Sequence, residues 1–135
     1  IRPTVSAVLR AEAQGIMLRT MCRAKIHQAT VNEALLNYVG SMTIPTDLMR
    51  KLDILPGEQV DVVNINNGAR WTTYAIPGKR RRHFCLNGAA ARLGAPGDRI
   101  IILIYAQMEE REARRHRVRV ALMRPNNSVD RMVRL

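Results

Sequence analysis

The chain has 135 residues, of which 47% are hydrophobic and 24% are charged, so its length and composition suit a single globular domain. No apolar run is long enough to cross a bilayer as a helix, and we expect no membrane partner. The net charge is +11, but the basic residues concentrate at 78–83 and from Arg111 onward, without the interleaved aromatics that stack on bases. Nucleic acid is therefore not the expected partner.

Residues 1–16 lack the basic start, continuous apolar core and small-residue cleavage site of a signal peptide. We expect residues 1–16 to be an extension without a role, and a short helix is compatible with their sequence. A single domain is expected over residues 17–135. Cys22 and Cys85 lack the spacing of metal ligands, so no metal is expected. Two free, buried thiols favour a cytoplasmic protein.

The first half of the domain predicts short elements. In chain order they are a strand at 20–31, a helical turn or second strand at 32–38, a strand at 41–45 and a short helix at 45–54. Thr46 is the expected N-cap of that helix, because a threonine hydroxyl accepts a hydrogen bond from the first turn.

The second half opens with a hairpin, since two β-rich runs within residues 59–76 flank Asn66-Asn67-Gly68, which tolerate positive φ. The elements that follow are a loop at 77–82, a strand at 83–86, a helical turn at 87–94 closed by Gly94, a turn at 95–99, a central strand at 99–108, a helical start to the tail, an edge strand at 118–122 and a turn at 124–128. This pattern predicts a small, mainly β barrel with short helices.

The stretch "YVGS" (38–41) contains a glycine inside a strand pattern. Such a glycine usually marks a bulge, a bend or a close backbone approach. It also removes the Cβ that would hinder attack on its carbonyl, and Ser41 places a hydroxyl next to that carbonyl. The pattern alone is compatible with a simple bend and with a peptide bond that reacts.

Five pieces occur in one order: "LRTMCRAKIHQATV", "YVGS", "NGARWTTYAI", "NGAAA" and "PGDRIIILIYAQM". Together they resemble the pyruvoyl-dependent aspartate 1-decarboxylase family, from about Met17 to Met108 with a short gap in the 77–83 loop. The resemblance implies a double-psi β-barrel assembled as a homotetramer, in which Lys25 of one subunit and Ser41 of another would form one site. It also implies decarboxylation of L-aspartate to β-alanine and CO2, a step of pantothenate biosynthesis.

The resemblance implies that the chain cuts its own Gly40–Ser41 bond. The Ser41 hydroxyl would attack the Gly40 carbonyl, and the resulting ester would eliminate and hydrolyse to leave a pyruvoyl group in place of Ser41. The β-chain would end at Gly40 and the α-chain would begin with the pyruvoyl group. This covalent cofactor would form a Schiff base with the substrate amine and take up the electrons released with CO2.

Further roles are carried over onto matching residues. Thr73 would contact the Gly40 carbonyl during processing and later the substrate, and Tyr74 would return a proton after decarboxylation. Arg70 and Lys25 would each bind one substrate carboxylate, which favours a diacid. Backbone N–H groups at the start of a helical turn would also contact the substrate, at Asn87, Gly88, Ala89 and Ala90.

Each of these residues also has an ordinary structural interpretation; Asn87, for example, would serve as a plain N-cap. Tyr38 and His27 match the family as well, and the pattern leaves open whether they line the site.

Two alternative functions stay open at this stage. The first is the same chemistry on another amino acid, such as glutamate or a sulfur amino acid. The second is an uncleaved, non-catalytic double-psi barrel that binds nucleic acid or a protein through its basic surface. The sequence also leaves open whether cleavage needs a maturation helper protein.

Overall fold

Nine β-strands and three short α-helices make up residues 5–135, the part of the chain that the computed structural model describes. The helices are α1 (Val5–Ala13), α2 (Thr46–Lys51) and α3 (Glu110–Arg115), with a 3₁₀ helix at Gly88–Arg92. The strands are β1 (Leu18–Thr30), β2 (Glu33–Leu35), β3 (Ser41–Pro45), β4 (Gln59–Asn64), β5 (Arg70–Gly78), β6 (Cys85–Asn87), β7 (Arg99–Glu109), β8 (Arg119–Met123) and β9 (Val129–Arg134). Over residues 5–135, every helix is too short or too polar to cross a membrane.

The strands form one sheet in the order β2-β6-β3-β5-β4-β7-β1-β8-β9. The apolar strand β7 lies between β4 and β1 and pairs antiparallel with both, as expected for a central strand. Three pairs are parallel: β1 with β8, β2 with β6, and β3 with β5. Because parallel neighbours need crossover connections, the spatial order differs from the chain order and brings distant segments together.

One hydrophobic core lies under the whole sheet. Ile100, Ile102 and Ile104 of β7 are fully buried, whereas Ile101 and Leu103 between them are partly exposed, which is the alternation of a strand with one core face. Buried residues from both halves of the sheet belong to the same cluster. The mainly β class with short helices is therefore confirmed, and the sheet wraps around its core in the barrel-like form that the sequence predicts.

Three predicted helix ends are wrong. The helix α2 ends at Lys51 and not at residue 54. Pro45 occupies the N-cap position of α2, and Thr46 is already helical; its hydroxyl donates to the carbonyl oxygen of Gly78 at 2.8 Å instead of capping the first turn. The 3₁₀ helix ends at Arg92 with Leu93 as its C-cap, and Gly94, which follows, does not have the positive φ of a helix-closing glycine. A Cβ at position 94 would lie 2.7 Å from Leu86 Cδ1, and close packing accounts for this glycine.

The tail differs from its prediction in one further way. β8 is flanked by β1 and β9 and is an interior strand, because the C-terminal residues "VDRMVR" form an edge strand that the sequence analysis missed. The helical start of the tail and the hairpin between β4 and β5 are confirmed. The ambiguous stretch 32–38 contains the short strand β2. A helix also lies within residues 1–16, although residues 1–4 fall outside the described part.

Candidate active site

Ser41 is the first residue of β3 and is 2% exposed. Its Oγ donates to the Val39 carbonyl oxygen at 3.3 Å and accepts from Asn87 Nδ2 at 3.0 Å. The register of β3 and β6 places Ser41 directly opposite Asn87. The Ser41 hydroxyl is therefore withdrawn from solvent and hydrogen-bonded on two sides.

Gly88 packs against the backbone of Gly40. Its φ is +73°, and a Cβ at this position would lie 2.7 Å from Gly40 Cα and 2.9 Å from the Tyr38 carbonyl oxygen. Around Gly40 itself there is more room, since a Cβ there would meet only the Asn87 carbonyl oxygen, at 3.9 Å. Gly88 is thus required by both its backbone angle and its surroundings, and it fixes one side of the Gly40–Ser41 bond.

Asn87 is the polar centre of the site and is 2% exposed. Its Nδ2 donates to Ser41 Oγ and, at 2.8 Å, to Thr43 Oγ1, and its Oδ1 accepts from the Cys85 thiol at 3.1 Å. Asn87 does occupy the N-cap position of the 3₁₀ helix, but its side chain makes no capping hydrogen bond. The plain N-cap interpretation is therefore wrong for the side chain, which is directed to the serine instead.

Thr43 and Cys85 belong, with Ser41, to the hydrogen-bonded cluster around Asn87, and the sequence analysis does not predict either of them. Thr43 lies two residues after Ser41 on β3, so alternation along the strand could have placed both hydroxyls on one face. Cys85 lies two residues before Asn87 on β6 and offered no comparable signal, because a buried cysteine is a common core residue. Burial and, to a smaller extent, Glu33 raise the pKa of the Cys85 thiol, which keeps it protonated.

Tyr74 lies beside Ser41 in the sheet. The parallel pairing of β3 with β5 aligns Met42 with Ala75, and one residue earlier on each strand are Ser41 and Tyr74. Tyr74 is 38% exposed, so its ring lies at the surface next to the buried serine. Thr73 is partly buried and is paired with the buried Val60, on the opposite face of β5 from Tyr74.

Arg70 lies four residues before Tyr74 on β5, so both side chains are on the outer face of the sheet. Between them, Thr72 donates to Asp61 Oδ1 at 2.6 Å. Arg70 is exposed. Arg70 and Tyr74 therefore share the outer face of β5, about 13 Å apart along the strand at about 3.3 Å per residue, and Tyr74 adjoins the buried Ser41 in the register.

Within one chain, Lys25 does not lie beside Ser41 and Tyr74. The register aligns it with Leu103 of β7, then Asp61 of β4, then Thr72 of β5, so that it lies on the same outer face but three strands from β5. At a spacing of about 4.8 Å per strand, this separation is about 14 Å. Its neighbour His27 has a buried Nδ1 without a hydrogen-bond partner, and burial, followed by Lys25 and Arg99, lowers the His27 pKa.

The remaining residues predicted from the sequence lie close to the cluster. Gly88 is buried, Ala89 is exposed and Ala90 is intermediate, at the start of the 3₁₀ helix. Tyr38 is exposed, and its carbonyl oxygen contacts Gly88 as described above. Within residues 5–135, no group of three or more His, Cys, Asp and Glu side chains has a metal-binding arrangement.

Comparison with known proteins places this site in a family. The profile described as Aspartate decarboxylase matches residues 17–130, which include every candidate site residue. An Aspartate 1-decarboxylase of Clostridium beijerinckii is 55% identical over 114 residues, which cover 84% of this chain and 92% of the relative. An Aspartate 1-decarboxylase of Staphylococcus aureus (strain JH9) is 52% identical over 118 residues, covering 87% and 93%. The chain therefore belongs to the aspartate decarboxylase family, as its sequence motifs indicate.

Proposed function

We propose that this protein is a lyase that converts L-aspartate into β-alanine and CO2, after making its own pyruvoyl group from Ser41. The observation that carries the proposal is the environment of the Gly40–Ser41 bond. A buried hydroxyl is held by Asn87, the preceding residue has no side chain, and Gly88 packs against it. Membership of the aspartate decarboxylase family supplies the reaction.

The self-cleavage uses atoms of Gly40 and Ser41 alone, together with water. The Ser41 hydroxyl adds to the Gly40 carbonyl carbon, the C–N bond breaks, and the acyl group passes from nitrogen to oxygen. Loss of the Ser41 α-proton then expels the Gly40 carboxylate from Cβ and leaves dehydroalanine. Water replaces the nitrogen, ammonia departs, and the C-terminal fragment begins with a pyruvoyl group. Holding the hydroxyl beside the carbonyl gives this attack a high effective molarity.

The residues around Ser41 fit a pyruvoyl group at this position. When present, the group binds the substrate amine and takes up the electron pair released with CO2. Tyr74, adjacent to Ser41 in the register, would deliver its phenolic proton to the carbon that has lost CO2. Thr73 would contact the Gly40 carbonyl and later the substrate, and Asn87 and the start of the 3₁₀ helix, Gly88 to Ala90, would orient it.

Arg70 and Lys25 would bind the two substrate carboxylates, and their separation implies a second subunit. Within one chain Lys25 lies three strands away from β5, so a Lys25 supplied by a neighbouring copy would complete the site beside Ser41. We propose a homotetramer in the cytoplasm, where the free thiols of Cys22 and Cys85 stay reduced.

Intact mass under denaturing conditions tests the cleavage. We expect purified protein, incubated warm, to give fragments that end at Gly40 and begin at residue 41. The larger fragment should be lighter than a serine start requires and should react with a carbonyl reagent. A Ser41→Ala variant should remain one chain. Cleavage only after adding an extract of the native cells would reveal a maturation helper, whereas an intact wild-type chain under both conditions would overturn the proposal.

Turnover of L-aspartate and L-glutamate by the cleaved protein tests the substrate. Because an arginine fork binds a carboxylate in a bidentate way, we expect Arg70→Lys to raise KM for aspartate about tenfold or more. Extent of cleavage, measured on the same samples, separates a substrate defect from a processing defect. A clear preference of the wild-type protein for glutamate would show that the chemistry is right and the assigned substrate wrong.

A further inference from the structure

We propose that Cys85 is a positioning residue for self-cleavage, because its thiol fixes the orientation of the Asn87 amide and thereby the hydrogen bonding of Ser41. This inference rests on the proposed function and adds to it a residue that does not touch the reacting atoms. It concerns the uncut chain, in which Ser41 still has its hydroxyl.

The three contacts of the Asn87 side chain define its orientation. Nδ2 donates to Ser41 Oγ at 3.0 Å and to Thr43 Oγ1 at 2.8 Å, while Oδ1 faces the Cys85 sulfur at 3.1 Å. A second acceptor for the thiol, the Leu86 carbonyl oxygen, is more distant at 3.8 Å. Since a thiol has one hydrogen, the shorter contact identifies Asn87 Oδ1 as its acceptor.

The two hydroxyls alone do not select this orientation. Serine and threonine hydroxyls both donate and accept, so a rotated Asn87 amide could take protons from Ser41 and Thr43 on its oxygen. Of the three contacts of the Asn87 side chain itself, the one to Cys85 distinguishes the two arrangements, because a protonated thiol offers a hydrogen to Oδ1 but is a poor acceptor for Nδ2. Burial raises the pKa of the Cys85 thiol, so its hydrogen is retained at neutral pH.

The orientation matters for the reactivity of Ser41. In the observed arrangement Ser41 Oγ accepts from Asn87, and its own proton is directed at the Val39 carbonyl oxygen at 3.3 Å. In the rotated arrangement that proton would be held by Asn87 Oδ1, and Ser41 Oγ would lose the N–H donor that stabilises the negative charge developing on it as its proton leaves. Nucleophilic attack requires the hydroxyl to turn a lone pair to the Gly40 carbonyl and to release its proton, so the rotated form should react more slowly.

Three substitutions of Cys85 separate hydrogen bonding from packing. Cys85→Ala removes both the donor and the volume of the sulfur; Cys85→Val restores volume without a donor, and Cys85→Ser restores a donor with little volume. Cys22→Ala is the matched control, because Cys22 is the other free cysteine and its thiol donates to the Ala24 carbonyl oxygen, at 3.5 Å, away from Asn87.

The measurement is the first-order rate of Gly40–Ser41 cleavage, followed by intact mass. Since one neutral hydrogen bond contributes about 0.5–1.5 kcal/mol, we expect Cys85→Ala and Cys85→Val to slow cleavage about three- to tenfold. Cys85→Ser should be slowed less than Cys85→Val, because its hydroxyl can still donate to Asn87 Oδ1, although it could also accept from a rotated Nδ2. Cys22→Ala should be unchanged. Chemical unfolding of each variant combined with Ser41→Ala reports stability separately, so that a folding defect is recognised.

Restoration by valine but not by serine would show that Cys85 acts through packing and would overturn the inference. Unchanged cleavage in Cys85→Ala would overturn it as well. Either result would leave the proposed function standing as long as the wild-type chain cuts itself. A wild-type chain that stays intact would instead remove the proposed function and this inference together.

Discussion

At the scale of single residues, Gly88 shows how strongly the backbone around the Gly40–Ser41 bond is determined. Its left-handed conformation disfavours any residue with a side chain, and its missing Cβ leaves the space in which Gly40 lies. Gly68 has almost the same backbone angle, with a φ of +75°, but nothing lies within 4 Å of its missing Cβ. Both glycines are therefore favoured by a left-handed backbone angle, but only Gly88 is also required by the lack of space for a Cβ.

Gly88→Ala and Gly68→Ala form a matched pair. We expect Gly68→Ala to lower the free energy of unfolding by about 1 kcal/mol, from its backbone angle alone. Gly88→Ala adds overlap with Gly40 and should lower it by about 2–5 kcal/mol. Cleavage should be lost only in Gly88→Ala, because the Gly40 backbone must shift to admit the methyl group. Denaturant titration and intact mass on both variants provide the measurements, and equal behaviour of the pair would contradict the role of the contact.

At the scale of elements, one buried ion pair ties β1 to the segment after α2. Arg23 Nη2 lies 2.8 Å from Glu58 Oε2, and Arg23 Nη1 donates to the Leu52 carbonyl oxygen at 2.9 Å. Glu58 Oε1 also accepts from the Leu55 backbone N–H at 3.0 Å. The pairing of β1 with β7 shifts register between Cys22 and Ala24, at Arg23 itself. The ion pair therefore fixes the α2–β4 connection to a bulge in β1.

Glu58→Gln should destabilise the fold, because the glutamate side chain is 1% exposed and the substitution leaves the Arg23 guanidinium without a charged partner. The amide keeps the shape and one hydrogen bond, so we expect a loss of about 2 kcal/mol in the free energy of unfolding. Glu110→Gln is the control, since Glu110 pairs with Arg19 on the surface at a similar distance, 2.7 Å. Surface pairs contribute little, and equal losses in the two variants would contradict the importance of burial.

Among the elements, those with a local sequence signal could be predicted, whereas strand order could not. Alternating apolar residues located most strands, and the Asn-Asn-Gly turn located the hairpin, because both signals are local. The last strand was missed because "VDRMVR" is largely polar, and β8 was then misread as an edge. Strand order depends on crossovers, which leave no local signal.

In the candidate site, likewise, residues within motifs could be predicted, whereas contacts that depend on strand pairing could not. Gly40, Ser41 and Asn87 could be found from their motifs, and the structure brings them together. The separation of Lys25 from Tyr74 within one chain could not be found from motifs, since it follows from strand order. Cys85 acquires its contact only when β6 pairs with β3, so no pattern in the chain pointed to it.

At the scale of the whole molecule, three groups kept neutral by folding shape the dependence of stability on pH. Burial lowers the pKa of His27 below its ordinary 6.5, with Lys25 and Arg99 adding to the effect. Burial raises the pKa of Cys22 and Cys85 above the ordinary 9.0, with Glu33 adding to the effect at Cys85. The unfolded chain binds a proton at His27 below pH 6.5 and loses thiol protons above pH 9.0, so these groups reduce stability on both sides of that window.

His27→Gln tests the acidic side of this window. As pH falls from 6.5 towards 5, the wild-type chain should lose stability partly because unfolded His27 takes up a proton that the folded chain resists. The glutamine variant cannot titrate, so its free energy of unfolding should fall less over the same interval. Urea titrations at several pH values, on both chains in a Ser41→Ala background, give the comparison. Parallel pH profiles would contradict the prediction.

The position of the scissile bond within the sheet has a consequence for reversibility. Residues 1–40 carry β1, which lies between β7 and β8, and β2, which lies beside β6. If the Gly40–Ser41 bond is cut as proposed, an interior strand belongs to a separate polypeptide that only pairing and burial retain. Unfolding then also releases this fragment, and recovery requires two unlike chains to find each other again, which dilution opposes by mass action. The uncut precursor can regain its barrel from one chain, whereas the matured enzyme would depend on never losing it.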